Sequence, residues 1–217
     1  MHGNILDTAD MKYLPRRIIP GDNTTILKPP HSQPWVVGIA GLQVGGKVRI
    51  FCGGTLIGER HVITAAHCLI DSRGFIPWLN NTHVVVGEHD QRIQDGEEKI
   101  ALSETPTIHP IFLEKWWDRK YDVAILVLKN RVENKFTKVA LLPQPDESFR
   151  NVDVSGWGTI GRGDFSDILR TVKLDILNSN YERCNIHNFI NNYLLCGEDI
   201  KAIHRGTCAG DSGGTEK

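Results

Sequence analysis

Alternating apolar and polar residues along much of the chain predict short β-strands. Apolar side chains occupy every second position in residues 47–52 and again in residues 171–177. A period of two is expected of strands with one buried face. Residues 84–86 and 123–128 are instead continuous apolar runs rich in β-branched residues. Such runs favour buried strands, although a buried helix would give the same pattern.

Glycine, proline, asparagine and aspartate residues separate these segments, for example at residues 45–46 and 161–164. The best helix candidate is residues 178–185, a short segment that Asn178 or Ser179 would cap. Many short strands with few helices predict an all-β barrel or sandwich. The length of 217 residues suits one domain or two small barrels fused as one unit.

Composition and charge narrow the class of protein. The chain is 40% hydrophobic with a net charge of -1, which is typical of a soluble globular protein and does not favour binding to nucleic acid or a membrane surface. Its longest apolar run, residues 123–128, is too short to span a bilayer. Five cysteines and the glycosylation sequons at Asn23 and Asn80 favour an extracellular protein. Residues 1–10 lack the apolar segment of a signal peptide, and a chain incomplete at both ends would reconcile these signs.

Three motifs contain the residue types of nucleophilic catalysis. They are residues 64–68 (Thr-Ala-Ala-His-Cys), 121–126 (Tyr-Asp-Val-Ala-Ile-Leu) and 210–214 (Gly-Asp-Ser-Gly-Gly). A serine hydroxyl needs a neighbouring general base, and that base needs a partner that fixes its tautomer. His67 can be the base, Asp122 its partner and Ser212 the nucleophile. Each residue alone is more often structural, so the hypothesis depends on their joint occurrence.

The glycine-rich motif around Ser212 also matches the nucleophile elbow of α/β-hydrolases. In that fold the aspartate and histidine follow the serine. Here only five residues follow Ser212, and none of them is aspartate or histidine. The order His67, Asp122, Ser212 is instead that of chymotrypsin.

Five stretches, in family order, resemble signatures of the chymotrypsin-like (trypsin-fold) serine proteases: residues 52–57, 64–68, 122–126, 154–158 and 210–214. The resemblance covers about residues 18–214. It implies an all-β fold, a chymotrypsin-like double six-stranded β-barrel whose second barrel is incomplete at its C-terminus. It also implies a leader or propeptide at 1–17, a peptidase domain at 18–217, and an endopeptidase that works through an acyl-enzyme intermediate.

The same resemblance assigns further site residues. The backbone N–H groups of Gly210 and Ser212 would form the oxyanion hole. Cleavage of a zymogen after Arg17 would free the amino group of Ile18, which would pair with Asp211. Gly206 would lie at the floor of the specificity pocket. Because glycine offers no negative charge there, we expect an uncharged residue before the cleaved bond, not lysine or arginine.

The resemblance also assigns the cysteines. It implies disulfides Cys52–Cys68 and Cys184–Cys196, and it leaves Cys208 unpaired. A rival interpretation, a metal site built on Cys184 and His187, lacks a second ligand pair with suitable spacing.

An acidic segment from residue 88 to residue 98 resembles the calcium loop of some family members. Its carboxylates would come from Glu88, Asp95 and Glu98, and its carbonyl ligands from Asp90 and Ile93. An ordinary acidic surface loop fits these residues equally well. Catalysis itself requires no cofactor, so calcium would be structural.

The expected partners are protein or peptide substrates, protease inhibitors and an activating protease, all outside the cell. The family continues past the serine motif, whereas this chain ends at Lys217. We therefore expect an open edge in the second barrel and low activity or misfolding of the chain as written. The alternatives are a catalytically impaired homologue that acts as a binding protein and an incomplete product of an active protease.

Overall fold

The computed structural model describes residues 25–42, 48–70, 82–94, 96–102, 104–114, 121–144, 147–160, 164–177, 195–199 and 211–216. Nearly all regular structure in these residues is β. The strands are β1 Thr25–Ile26, β2 Val36–Leu42, β3 Val48–Gly58, β4 His61–Thr64, β5 His83–Val86, β6 Glu98–Ala101, β7 Thr107–Ile108, β8 Ala124–Val127, β9 Asn151–Gly156, β10 Thr159–Ile160, β11 Asp164–Phe165, β12 Arg170–Leu177, β13 Cys196–Glu198 and β14 Thr215–Glu216. A 3₁₀ turn, Ala66–Cys68, and one helix, α1 Pro110–Glu114, complete the described elements.

The first sheet is antiparallel and contains seven strands in the order β6-β5-β2-β3-β4-β8-β7. A β-bridge joins Leu102, directly after β6, to Leu128, directly after β8. The amide of Lys129 also donates to the carbonyl of Ala101 at 2.9 Å. These contacts bring the β6 side of the sheet back onto β8, so the sheet curls around one core. Its fully buried side chains include Val37, Ile39, Leu56, Val62, Val84 and Leu126.

The second sheet follows the order β1-β12-β9-β14. Strand β1 pairs with the first two residues of β12, and β13 pairs with residues 175–177 at its other end. Its inward-facing residues Val152, Val154, Val172 and Leu174 form a smaller core. In the described residues, two curled antiparallel sheets of seven and five strands, a two-stranded β10-β11 sheet and almost no helix confirm the predicted all-β fold.

Three of the four predicted strand segments have the expected pattern of burial. Strand β3 buries Ile50 and Cys52, β12 buries Val172 and Leu174, and β5 buries its whole valine run. Strand β8 differs, because only its alternate residues are buried. The outward positions of β8 are also apolar, and this hides the period of two in the sequence. The predicted helix at residues 178–185 lies outside the described residues.

Trp157 packs at the contact between the two sheets. Its indole is 1% exposed and packs with Val36, Ile50 and Leu169 in a cluster that draws on both sheets. Burial of an aromatic side chain of this size is a large apolar contribution to the contact between the sheets. Described residues of the three candidate motifs meet nearby, because Asp122 is bonded to His67 and Gly214 lies against Gly53 of β3.

Candidate active site

His67 lies on the 3₁₀ turn that follows β4, with its side chain half-exposed. Strand β4 pairs with β3, and the disulfide Cys52–Cys68 joins β3 to this turn directly after His67. The disulfide was implied by the resemblance and is present in the structure. It ties the histidine turn to a strand in the middle of the first sheet.

Asp122 reaches His67 because of the register between β4 and β8. Thr64 in β4 lies opposite Ala124 in β8, so Asp122 emerges beside the turn that follows β4. Its Oδ2 lies 2.6 Å from His67 Nδ1, and its Oδ1 accepts the His67 amide at 2.8 Å. A carboxylate only accepts hydrogen bonds, so the proton of the neutral imidazole belongs on Nδ1. That tautomer leaves Nε2 as the acceptor, which a general base requires.

The environment of Asp122 favours its charged form. Partial burial of the carboxylate would raise its pKa. The hydrogen bonds from the His67 ring and amide, the charge of His67 and a bond from the Ala66 amide outweigh burial, and they hold the pKa of Asp122 below its usual value. Asp122 is therefore an anion that can stabilise an imidazolium on His67.

Ser212 lies in a turn that the first sheet holds by its backbone. The carbonyl of Ser212 accepts the Gly53 amide at 2.8 Å. The same carbonyl lies 3.5 Å from Cys68 Sγ, which is a packing contact because a disulfide sulfur carries no hydrogen. Gly53 directly follows Cys52, and Cys68 directly follows His67. The disulfide therefore anchors the serine turn and the histidine turn to each other.

Glycines allow the serine turn to approach this closely. A Cβ on Gly53 would lie 2.7 Å from the Cα of Gly214, and one on Gly214 would lie 2.8 Å from the carbonyl of Ser155. Gly213 has a φ of 74°, a conformation that L-residues rarely adopt. Beyond the turn, Thr215 pairs with Ser155 as β14 joins β9. The serine turn thus passes from the first sheet into the second.

Asp211, directly before the serine, is 4% exposed. Its Oδ1 accepts the Gly158 amide at 2.8 Å. The carboxylate fills a notch that Gly156 and Gly158 leave open, and a Cβ on either glycine would overlap it. Sequence reasoning placed both glycines in a family signature but did not assign this contact to them.

Several predicted site residues lie outside the described residues. They are Arg17, Ile18, Cys184, Gly206, Cys208 and Gly210. Cys196 is disulfide-bonded. Its predicted partner Cys184 lies outside the described residues, so the Cys184–Cys196 pairing stays a prediction.

The predicted calcium loop is described in part. Glu88 is buried, and its Oε1 accepts the His89 amide at 2.9 Å. A buried carboxylate of this kind fits the hard oxygen donors that Ca²⁺ takes. Asp95 and the side chain of Glu98 lie outside the described part of the loop.

The carbonyl of Asp90 was predicted as a further calcium ligand. It accepts the Ile93 amide at 3.0 Å. The Asp90 carboxylate binds Arg92 through bonds of 2.8 and 2.6 Å. The Arg92 hydrogen bond holds the pKa of Asp90 below its usual value, although burial opposes it. Asp90 is thus engaged by Arg92, and calcium binding stays a prediction.

One other group of metal-ligand side chains lies at the site. Ligand atoms of Cys52, His67 and Cys68 are within 4.8 Å of one another. Both sulfurs belong to the disulfide, so neither can be the thiolate that a metal needs. The described residues also include no helix that is both long and apolar enough to cross a membrane.

Comparisons with known proteins agree with this geometry. A family model described as Trypsin matches residues 24–215. Chymotrypsin-like elastase family member 1 of Canis lupus familiaris is 32% identical over 181 residues, which cover 78% of this chain and 65% of the relative. Ovochymase-2 of Mus musculus is 33% identical over 195 residues, which cover 85% of this chain and 30% of the relative.

A solved structure shares this all-β architecture and confirms the predicted chymotrypsin-like fold. Neuropsin, a serine protease expressed in the limbic system of mouse brain, superposes with a TM-score of 0.69 at 26% identity, over 86% of this chain and 78% of neuropsin. The chain spans less than two thirds of the length of the two curated relatives.

Proposed function

Because the chain belongs to the trypsin family of chymotrypsin-like serine proteases, we propose that it is a serine endopeptidase with Ser212 as nucleophile, His67 as general base and Asp122 as the residue that orients His67. The observation that carries the proposal is the two-point contact of Asp122 with the ring and the amide of His67. The Ser212 carbonyl accepts the Gly53 amide at 2.8 Å and lies 3.5 Å from Sγ of Cys68, the residue after His67, which supports the proposal further.

Acylation would begin when the Ser212 hydroxyl attacks the carbonyl carbon of a peptide bond. Its proton passes to Nε2 of His67, and Asp122 stabilises the imidazolium that forms. The tetrahedral oxyanion then collapses, the C–N bond breaks, and His67 returns the proton to the leaving amine. The products are a free amine and an ester between the substrate and Ser212.

Deacylation repeats these steps with water as the nucleophile. His67 takes a proton from the water, which attacks the ester, and then returns it to the Ser212 oxygen as the acid product leaves. In both half-reactions, the amides of Gly210 and Ser212 would stabilise the oxyanion. Loss of one such donor lowers kcat about 10²–10³-fold in a related mechanism.

Activation by cleavage after Arg17 is part of the proposal. The new amino group of Ile18 would pair with Asp211, and a buried carboxylate at that position supports this role. A pair formed in the Gly156–Gly158 notch would fix the residue directly before Ser212. Residues 1–17 are then the propeptide and residues 18–217 the peptidase domain.

The substrate class follows from Gly206 by resemblance. We expect cleavage after uncharged residues, action outside the cell, and recognition by protease inhibitors and an activating protease. Elastases occur among the relatives, which supports an uncharged specificity. Calcium would bind at Glu88 and the acidic segment that follows it, where it would stabilise the loop without entering the reaction.

Peptide hydrolysis tests the proposal. The chain, before and after limited cleavage at Arg17, is assayed on matched peptides with alanine, leucine, phenylalanine or arginine before the cleaved bond. Turnover that needs Ser212 and favours an uncharged residue supports the function. A folded chain that turns over none of the peptides would favour the alternative, a homologue that binds peptides without cleaving them.

A further inference from the structure

Asp122 is preceded by a residue in an unusual backbone conformation. Tyr121 has a φ of 58°, in the left-handed region that aromatic residues rarely occupy. The Val123 amide donates to the Tyr121 carbonyl at 2.7 Å and closes a tight turn with Asp122 at its centre. The direction of the Asp122 side chain therefore depends on how its two neighbours are held.

His109 contacts both neighbours of Asp122. Its backbone amide donates to the carbonyl of Val123 at 3.1 Å. Its ring stacks on the ring of Tyr121, with centroids 4.7 Å apart and planes 14° from parallel. One residue therefore holds the tight turn on each side of the aspartate.

His109 is itself anchored to the first barrel. It lies between β7 and α1, and its Nδ1 accepts the Ile111 amide at 3.3 Å. Its carbonyl accepts the Phe112 amide at 3.0 Å, and the Phe112 side chain is buried in the core of the first sheet. The position of the His109 ring is thus set by the core and not by Asp122.

We propose that the stacked pair of His109 and Tyr121 is a positioning device that aims the Asp122 carboxylate at Nδ1 of His67. Neither ring enters the proton transfer. The pair holds Tyr121 in its strained conformation and so fixes the turn that presents Asp122. This inference rests on the proposed function, because aiming Asp122 affects turnover only where His67 acts as the base.

Substitutions at Tyr121 separate the stack from the backbone conformation. Tyr121→Phe keeps the ring, so we expect the geometry to be retained. Tyr121→Gly removes the ring and also removes the strain, because glycine adopts a positive φ readily. If only the backbone conformation mattered, the glycine variant would work at least as well as the parent chain.

His109→Asn is the matched change on the other side of the stack. Asparagine can accept the Ile111 amide as a helix cap, so the start of α1 is kept while the stacking ring is lost. The two substitutions break the same contact. The kcat of the double variant His109→Asn/Tyr121→Gly should therefore be no lower than that of the less active single variant.

The direct measurement is the NMR signal of the His67 Nδ1 proton in the full chain. A short hydrogen bond to a carboxylate shifts this proton far downfield. We expect Tyr121→Phe to keep the downfield signal and a kcat within about twofold of the parent. We expect Tyr121→Gly and His109→Asn to lose or broaden the signal and to lower kcat by about 10- to 100-fold with little change in KM, because a misplacement of about 1 Å can cost about 100-fold.

The two readouts separate this inference from the proposed function. If the parent chain shows the downfield signal without turnover, the proposed function fails, and the signals of the variants still test the stack. Near-UV circular dichroism identifies variants that have lost their tertiary structure. A folded Tyr121→Gly or His109→Asn chain with an unchanged signal would overturn the positioning role.

Discussion

Filling the notch around Asp211 with one methyl group should disrupt the serine turn. The Gly158 amide donates to Asp211 Oδ1 at 2.8 Å, and a Cβ on Gly158 would overlap both oxygens of the carboxylate. Gly158→Ala therefore forces the buried carboxylate out of its place. Because Ser212 is the next residue, its position should change with that of Asp211.

Two terms set the size of the loss of stability, namely a lost hydrogen bond and the cost of an added methyl group. A hydrogen bond to a charged group contributes about 1.5–3 kcal/mol, and its loss leaves a buried carboxylate poorly solvated. Forcing a methyl group into a packed site costs about 1–3 kcal/mol more. We expect the free energy of unfolding to fall by about 2.5–6 kcal/mol, a large part of the roughly 5–15 kcal/mol that stabilises a domain.

Urea unfolding and labelling of Ser212 by a fluorophosphonate probe measure the two consequences. Gly197→Ala is the matched control, because its nearest new contact would be Leu174 Cβ at 3.3 Å, on an exposed position of β13. It should change stability by less than about 1 kcal/mol, since glycine-to-alanine changes at unstrained sites are small. A Gly158→Ala chain with the stability and labelling rate of the control would refute the role assigned to the notch.

Three further predictions concern the disulfide, the aspartate and calcium. Replacing Cys52 and Cys68 together by alanine opens a loop of 16 residues and should lower the free energy of unfolding by about 3 kcal/mol; an unchanged urea midpoint would contradict this. The pKa of Asp122 is lowered in the folded chain. The free energy that its charged form contributes to folding is therefore fully present above the pKa of aspartate in the unfolded chain, about 3.9. It is lost as the pH falls through the pKa of Asp122 in the folded chain. The stability difference between the parent chain and Asp122→Asn should therefore shrink between pH 7 and pH 3, and a difference that does not depend on pH would argue against the ion pair. Millimolar Ca²⁺ should raise Tm in the parent chain and not in Glu88→Gln, whereas equal shifts would exclude Glu88 as a ligand.

Local sequence predicted three of the four strand segments with the correct burial pattern, whereas the catalytic roles of the candidate residues stay predictions. The alternation in β3 and β12 reflects side chains that face in and out of a sheet, so it can be seen in the sequence without a partner strand. His67, Asp122 and Ser212 were recognisable because their motifs occur together in a specific order. Strand β8 was predicted only in outline, because apolar residues on its outward face concealed the alternation.

Contacts between distant segments could not be predicted in the same way. The approach of Gly53 to Gly214 and the notch at Gly158 depend on how the two sheets meet, which no local pattern encodes. Helix α1 is five residues long, too short to show a helical period, and Pro110 at its first position was its main local signal. The stack of His109 on Tyr121 likewise exists only once β7 and β8 have paired.

The most direct test of the central claim is to identify the residue that a fluorophosphonate probe modifies. The full chain is treated before and after cleavage at Arg17, and the adduct is located by peptide mass spectrometry. The account predicts an adduct on Ser212 that increases after cleavage and falls by orders of magnitude in His67→Ala, because the hydroxyl needs its base. An adduct on another residue, or labelling of Ser212 that does not depend on His67, would contradict it.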